Sequence, residues 1–233
     1  ETGPPHHELF VRMRDRNGSI ILPGAFLPTA ERHDLVQELD SWVIRKAIST
    51  LAGLDAETCP RLQINLSGRT VGDPKLPGFV QSELERTGVD PANLIFEVTE
   101  TSAIGNMTRA QEFSARMNEL GCGFALDDFG TGFASFYYLK HLAFDYVKID
   151  GEFVQNLASD PVNRLLVKAL VEISRGMGKQ TVAEQVEDAR TLGMLREFGV
   201  DFVQGHFLGR PRPLERADLT DLPEIQLDTP VRS

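Results

Sequence analysis

Met107–Asp150 reads MTRAQEFSARMNELGCGFALDDFGTGFASFYYLKHLAFDYVKID. Its first part, Met107–Leu120, is helix-like and stops beside Gly121, a residue type that commonly closes a helix. A short apolar run, Gly123–Asp127, then ends in a carboxylate, and a second, Asp128, comes next. A glycine-containing loop follows, then a second helix-like piece, Ser135–His141, and a second β-like run, Tyr146–Asp150. Strand, helical crossover, strand is the unit from which parallel sheets are built.

The same alternation extends outward in both directions. Further β-like runs, rich in β-branched or aromatic residues between Gly, Pro or Asn signals, fall at His7–Met13, Leu62–Leu66, Leu94–Thr99, Gln180–Glu184 and Asp201–Gln204. Helix-like segments fall at Leu35–Leu51, Gly78–Thr87, Pro161–Gly176 and Ala189–Phe198. In the first of these Leu35, Leu39, Trp42, Val43, Ala47 and Leu51 recur at helical spacing, and in the third Leu165, Leu166, Ala169, Leu170 and Ile173 do so; both sets are expected to cover a sheet face. Gly176 and Gly199 are expected helix ends, like Gly121. An open doubly wound sheet and a closed barrel both satisfy this pattern. The missing glycine fingerprint after the first strand weakens the open-sheet reading.

A chain of 233 residues, 41% hydrophobic and 25% charged, has the composition of an ordinary globular protein. No run approaches the ~18 apolar residues of a membrane span, and no secretory leader is visible. Glu1-Thr2-Gly3 carries no argument. Cys59 and Cys122 have no paired spacing, so a disulfide framework and a structural zinc are not expected; both read as small buried apolar residues of a protein in a reducing cytoplasm. A net charge of −10 argues against a DNA or RNA polymer as partner. It leaves room for an anionic small ligand if acidic residues first gather divalent cations.

The strand ends make that specific. Nearly every β-like run carries polar groups at or near its end: Glu8, Asn65, Glu97, Asp127 with Asp128, Lys148 with Asp150, Glu184 with Glu187, and Gln204. Strand parity puts Leu62, Ile64 and Leu66 on one face and Gln63 and Asn65 on the other, and it separates Tyr146, Lys148 and Asp150 from Val147 and Ile149. In a barrel the polar set would converge at the carboxyl ends of the strands, where barrel active sites lie. Several carboxylates in one cavity repel one another unless cations neutralise them. Their hard oxygen donors suit magnesium or manganese better than zinc. Two such ions roughly 3.5–4 Å apart can hold a phosphodiester and activate a water. Lys148 would orient the water or offset phosphate charge, with a structural ion pair as the plainer explanation.

These residues resemble the bacterial EAL domains, which hydrolyse cyclic di-GMP to linear 5'-pGpG. The resemblance runs from about Glu8 to Pro213. It is carried by Asp127-Asp128-Phe129-Gly130-Thr131-Gly132-Phe133, Lys148-Ile149-Asp150, Asn65-Leu66-Ser67, Glu97-Val98-Thr99-Glu100, Ala183-Glu184-Gln185-Val186-Glu187 and Gln204-Gly205-His206, with Arg210-Pro211 behind. The signature itself stands as Glu8-Leu9-Phe10 with Arg12. The resemblance implies a modified TIM-like (β/α)8 barrel and two Mg2+ or Mn2+ ions. Glu8, Asn65, Glu97 and Asp127 would bind one ion, and Asp127 would bridge to a second shared with Asp128 and Glu184. Glu184 is alternatively a general base. Lys148 would hold the attacking water, with Glu187 and Gln204 supporting the site. Arg12, Asp150 and Pro211 would contact the dinucleotide, Gln204 beside them, and Glu100 would anchor the loop Phe129–Ser135. A homodimer, a cytoplasmic setting for the domain without membrane contact, and an upstream sensor or diguanylate-cyclase module in the parent protein follow from the same resemblance. That parent could itself be membrane-anchored.

Departures from the family pattern qualify this. Gln185 replaces a common glycine beside the proposed site and is expected to crowd it. Asp188 and His206 replace common Thr and Tyr. The family's first strand, usually opening Gln-Pro-Ile, does not precede Glu8, leaving seven strands where a closed barrel wants eight. Residues 1–218 are expected to form the barrel, and 219–233, acidic and punctuated by proline, a peripheral tail. Phe133, Phe136, Tyr137 and Tyr138 read as core packing or as an interface. Two rivals stand beside the hydrolase: a receptor that holds cyclic di-GMP without cutting it, and a glycosidase barrel, which also pairs carboxylates but would not require the lysine and asparagine.

Overall fold

Two sets of parallel strands carry the chain's polar strand ends. The structure, a computed structural model, describes residues 4–55, 59–130 and 136–214, and for 136–138 the backbone alone. Its contacts divide the chain into two units, one of Pro4–Val98 with Ser102–Gly123, the other of Thr99–Thr101 with the chain from Phe124 onward.

The first set runs β1 (His6–Leu9), β4 (Arg61–Asn65), β5 (Leu94–Thr99) in spatial order. Its register places Glu8 opposite Gln63 and Asn65 opposite Glu97. Between β1 and β4 come a small antiparallel hairpin, β2 (Met13–Arg14) and β3 (Ile20–Ile21), and two helices, α1 (Pro23–Arg32) and α2 (Val36–Leu51). The first expected strand is therefore shorter than His7–Met13, because Met13 already belongs to the hairpin. The short α3 (Gly68–Val71) and α4 (Leu76–Thr87) join β4 to a 3-10 turn at Pro91–Asn93 before β5; α5 (Glu100–Gly105) and α6 (Met107–Leu120) follow it.

The second set runs β6 (Gly123–Phe129), β7 (Tyr146–Ile149), β8 (Gln180–Ala183), β9 (Phe202–Val203), all parallel. Its helices are α7 (Phe136–His141), α8 (Gly151–Gln155), α9 (Pro161–Gly176) and α10 (Ala189–Phe198). Asp160 caps α9 by accepting from the Val162 and Asn163 amides ahead of Pro161, and Asp188 caps α10 through the Thr191 amide. Ile149, Val154, Leu157, Val167, Val171, Ala183, Val186, Leu192, Leu195 and Val200 form one core between these strands and helices. Each fully buried aliphatic contributes roughly 1.5–3 kcal/mol relative to exposure.

The expected apolar stripes are displaced. On α2 the buried positions are Val36, Asp40, Ile44, Ala47, Ile48 and Leu51, while Leu35 and Trp42 stand 51% and 54% exposed. On α9 Val167, Val171 and Ser174 are buried, and Leu165 is 68% exposed, with Leu166 and Ala169 also on the outside. Leucines at helical spacing marked each helix correctly, but β-branched neighbours one or two positions away fill the core. Gly121 and Gly199 close their helices in the left-handed conformation as expected; after α9 that role falls to Gly178 rather than Gly176.

Both cysteines are free and buried. Burial, with Asp90 nearby, pushes the Cys122 thiol up to about 12, so it is inert at neutral pH. No helix among the described residues is long and apolar enough to cross a membrane. The expected loop beyond Gly130 and the expected tail at 219–233 lie outside the described residues, as do the side chains of the aromatic group at 133–138.

Candidate metal centre

Consecutive residues on a regular strand point to opposite faces. Asp127 and Asp128 escape that rule. Across β6 and β7, Leu126 pairs with Val147 and Phe129 with Ile149, so both aspartates oppose the single residue Lys148. This is a β-bulge, and Asp128 takes the left-handed φ of 53° that such an extra residue can require. The backbone bend brings the two carboxylates together with Glu184, which follows β8; one carboxylate oxygen from each lies within 4.8 Å of the others.

Lys148 holds this trio. Its ammonium lies 3.0 Å from Asp127 Oδ1 and 2.8 Å from Glu184 Oε1, and its side chain is 1% exposed. Carboxylates at this range offset the cost of burying a charged lysine. Glu184 Oε1 also accepts from Gln204 Nε2 at 2.7 Å. Asp128 carries the electrostatic strain: burial first, then the charges of Asp127 and Asp150, push its carboxyl up to about 6, although Lys148 opposes them. A cluster whose carboxylates resist ionising together, built from hard oxygen donors, fits a divalent cation.

In the other unit Asn65 Nδ2 donates to Glu8 Oε1 at 2.7 Å, and the fully buried Glu97 is the cross-strand neighbour of Asn65. The turn after Asn65 is pinned from α2: Asp40, buried, accepts from the Ser67 amide at 3.0 Å and the Thr70 hydroxyl at 2.6 Å. Burial raises the Asp40 pKa against the opposing pull of those hydrogen bonds.

The remaining expected site residues are spread more loosely. Asp150 caps α8, accepting from the Glu152 amide at 2.7 Å, and is close enough to Asp128 to raise its pKa. The Gly130 amide donates to Glu100 Oε2 at 3.1 Å, tying the residues after the bulge to the end of β5. Glu187 and Pro211 are exposed. Arg12, also exposed, bonds the carbonyl of its neighbour Val11 and stacks 5.9 Å from the Phe10 ring centre. Sequence reasoning did not find Asp40, the bulge, or the backbone of Gln185, which also has a left-handed φ, 52°. A polar residue inside an apolar helical stripe was the available signal for Asp40; aspartate is one of the types that tolerate a positive φ, as at Asp128, whereas glutamine gives no such signal at Gln185.

Parallel strands with hard, acidic donors at the ends of β6 and β8 define an α/β protein with a group of carboxylates that could hold a cation. A family model described as the EAL domain matches residues 2–211. The chain is 40% identical over 210 residues to the cyclic di-GMP phosphodiesterase PdeB of Shewanella oneidensis, covering 89% of this chain and 24% of that protein. It is 36% identical to the cyclic di-GMP phosphodiesterase PdeF of Escherichia coli, covering 91% and 28%. Among solved structures, the FimX EAL domain from Pseudomonas aeruginosa bound to c-di-GMP superposes with a TM-score of 0.83 at 30% identity, over 88% of this chain and 83% of that one. The chain belongs to the EAL domain family, and its fold class is the modified TIM-like (β/α) barrel of that family. It spans about a quarter of the length of the curated relatives it matches.

Proposed function

We propose that this domain hydrolyses one phosphodiester of cyclic di-GMP, releasing linear 5'-pGpG and lowering the level of that messenger. The observation that carries the reading is the convergence of Asp127, Asp128 and Glu184 around the buried Lys148. The names of the relatives, cyclic di-GMP phosphodiesterases, supply the substrate class.

In this reading Asp127, Asp128 and Glu184 would hold Mg2+ or Mn2+. Bound divalent ions would polarise the phosphodiester and lower the pKa of a water at neutral pH. The protein's own groups do the rest. Lys148 Nζ donates to the attacking water and places it in line with phosphorus, while offsetting charge as it builds on the phosphoryl oxygens. As the water attacks, the bond from phosphorus to the 3' oxygen breaks and that oxygen takes up a proton from solvent; Glu184, in its alternative role as base, accepts the water's proton, with Gln204 bonded to its Oε1. Asp150, Arg12 and Pro211 orient the dinucleotide. Glu100 restrains the residues after the bulge through the Gly130 amide.

The test is chromatography of cyclic di-GMP incubated with the purified domain and manganese. Wild type should yield linear dinucleotide, and Asp127→Ala should lose at least about a thousandfold in rate. Near-wild-type activity in Asp127→Ala would refute the assignment of the site; binding without product over hours would make the domain a receptor.

A further inference from the structure

Gln185 is left unused by the site just described, yet its geometry is costly. A residue with a Cβ at φ 52° is held in a sparsely populated region. Its side chain has partners of its own on α8. It lies across Gly151 and accepts, through Oε1, a hydrogen bond from Gln155 Nε2.

Gly151 is the complementary half of that contact. A Cβ built on it would fall 2.2 Å from Gln185 Cδ, and the three nearest atoms to that position all belong to Gln185. The φ of Gly151 is not in the left-handed region, so its backbone does not require glycine; the Gln185 amide occupies the space that a side chain there would take. Gly151 and Gln155 are the first and last residues of α8, whose N-terminal cap is Asp150. The other face of α8 is secured separately, by Val154 in the core and by Asn163 Nδ2 donating to the Glu152 carbonyl at 3.2 Å. The face toward the loop after β8 has the two glutamines.

We propose that Gln185, Gln155 and Gly151 form a clasp joining the loop after β8 to α8, which makes Gln185 a positioning residue for Asp150 and so for the dinucleotide. The proposal rests on the reading above, in which Asp150 contacts cyclic di-GMP. Glu184 has partners of its own, Lys148 and Gln204, that take no part in the clasp. Opening it therefore changes substrate affinity and leaves the chemical step alone.

At saturating manganese, Gln155→Ala and Gln185→Ala should each raise KM for cyclic di-GMP about fivefold, the worth of one lost hydrogen bond, with kcat within about twofold of wild type. The double variant should be no worse than either single one, since both remove the same contact. Gly151→Ala expels the amide and should reproduce the rise, with no further effect in a Gln185→Ala background. The dissociation constant for cyclic di-GMP in EDTA, read by calorimetry, should follow the same pattern. A wild-type affinity in Gln155→Ala and Gly151→Ala, additive rises in the double variant, or a fall in kcat as the main effect would overturn the clasp. Wild type that binds the dinucleotide with this pattern but never cleaves it would overturn hydrolysis alone.

Discussion

At Asp128 burial and two neighbouring carboxylates push in one direction, and the result is a carboxyl that titrates near 6 instead of 3.8. The folded chain therefore binds this proton more tightly than the unfolded chain. In the metal-free domain the group adds stability at low pH, and that contribution is lost as pH rises from about 4 through 6. A cation at the same oxygens competes with the proton, so manganese affinity should weaken by about tenfold between pH 7 and pH 5. Calorimetric titration at the two values checks this, and equal affinities would remove Asp128 from the ligand set. The residues themselves were readable from the sequence, because polar groups at the ends of apolar runs violate the expected pattern. Their arrangement was not. Strict alternation sends Asp127 and Asp128 to opposite faces, and only the bulge opposite Lys148 reverses that.

Among elements, α6, α9 and α10 have the bounds their periodicity and caps imply, Met107–Leu120, Pro161–Gly176 and Ala189–Phe198. By contrast α1 left no trace in the apolar pattern: it buries no residue completely and carries Pro28 in its interior. The loops at the strand ends depend on backbone proximity, which residue type barely records. Gly205, at φ 155°, is the sharpest case. The Val186 amide donates to the Gln204 carbonyl at 3.0 Å, and a Cβ on Gly205 would fall 2.2 Å from the Val186 nitrogen. Relief requires the loop bearing Glu184 or the segment bearing Gln204 to move. Gly205→Ala should therefore cost on the order of 3 kcal/mol and loosen the Gln204–Glu184 hydrogen bond. Urea unfolding measures the first effect; an unchanged midpoint would show that the close backbone approach is absent.

At the scale of the whole molecule, a net charge of −10 does not favour an anionic ligand, and acidic groups that gather divalent cations reverse the field locally. The account therefore stands on cations at the bulge and at the end of β8. Seven strands and their parallel direction were implied by alternating apolar runs, whereas their order, which an open sheet and a barrel do not share, came from the structure. Anomalous diffraction at the manganese edge, from crystals grown with manganese and cyclic di-GMP, tests the claim at its root. Manganese peaks should appear bonded to Asp127, Asp128 and Glu184 and lying against the phosphodiester. Dinucleotide bound with no manganese within ligand distance of those carboxylates would contradict it.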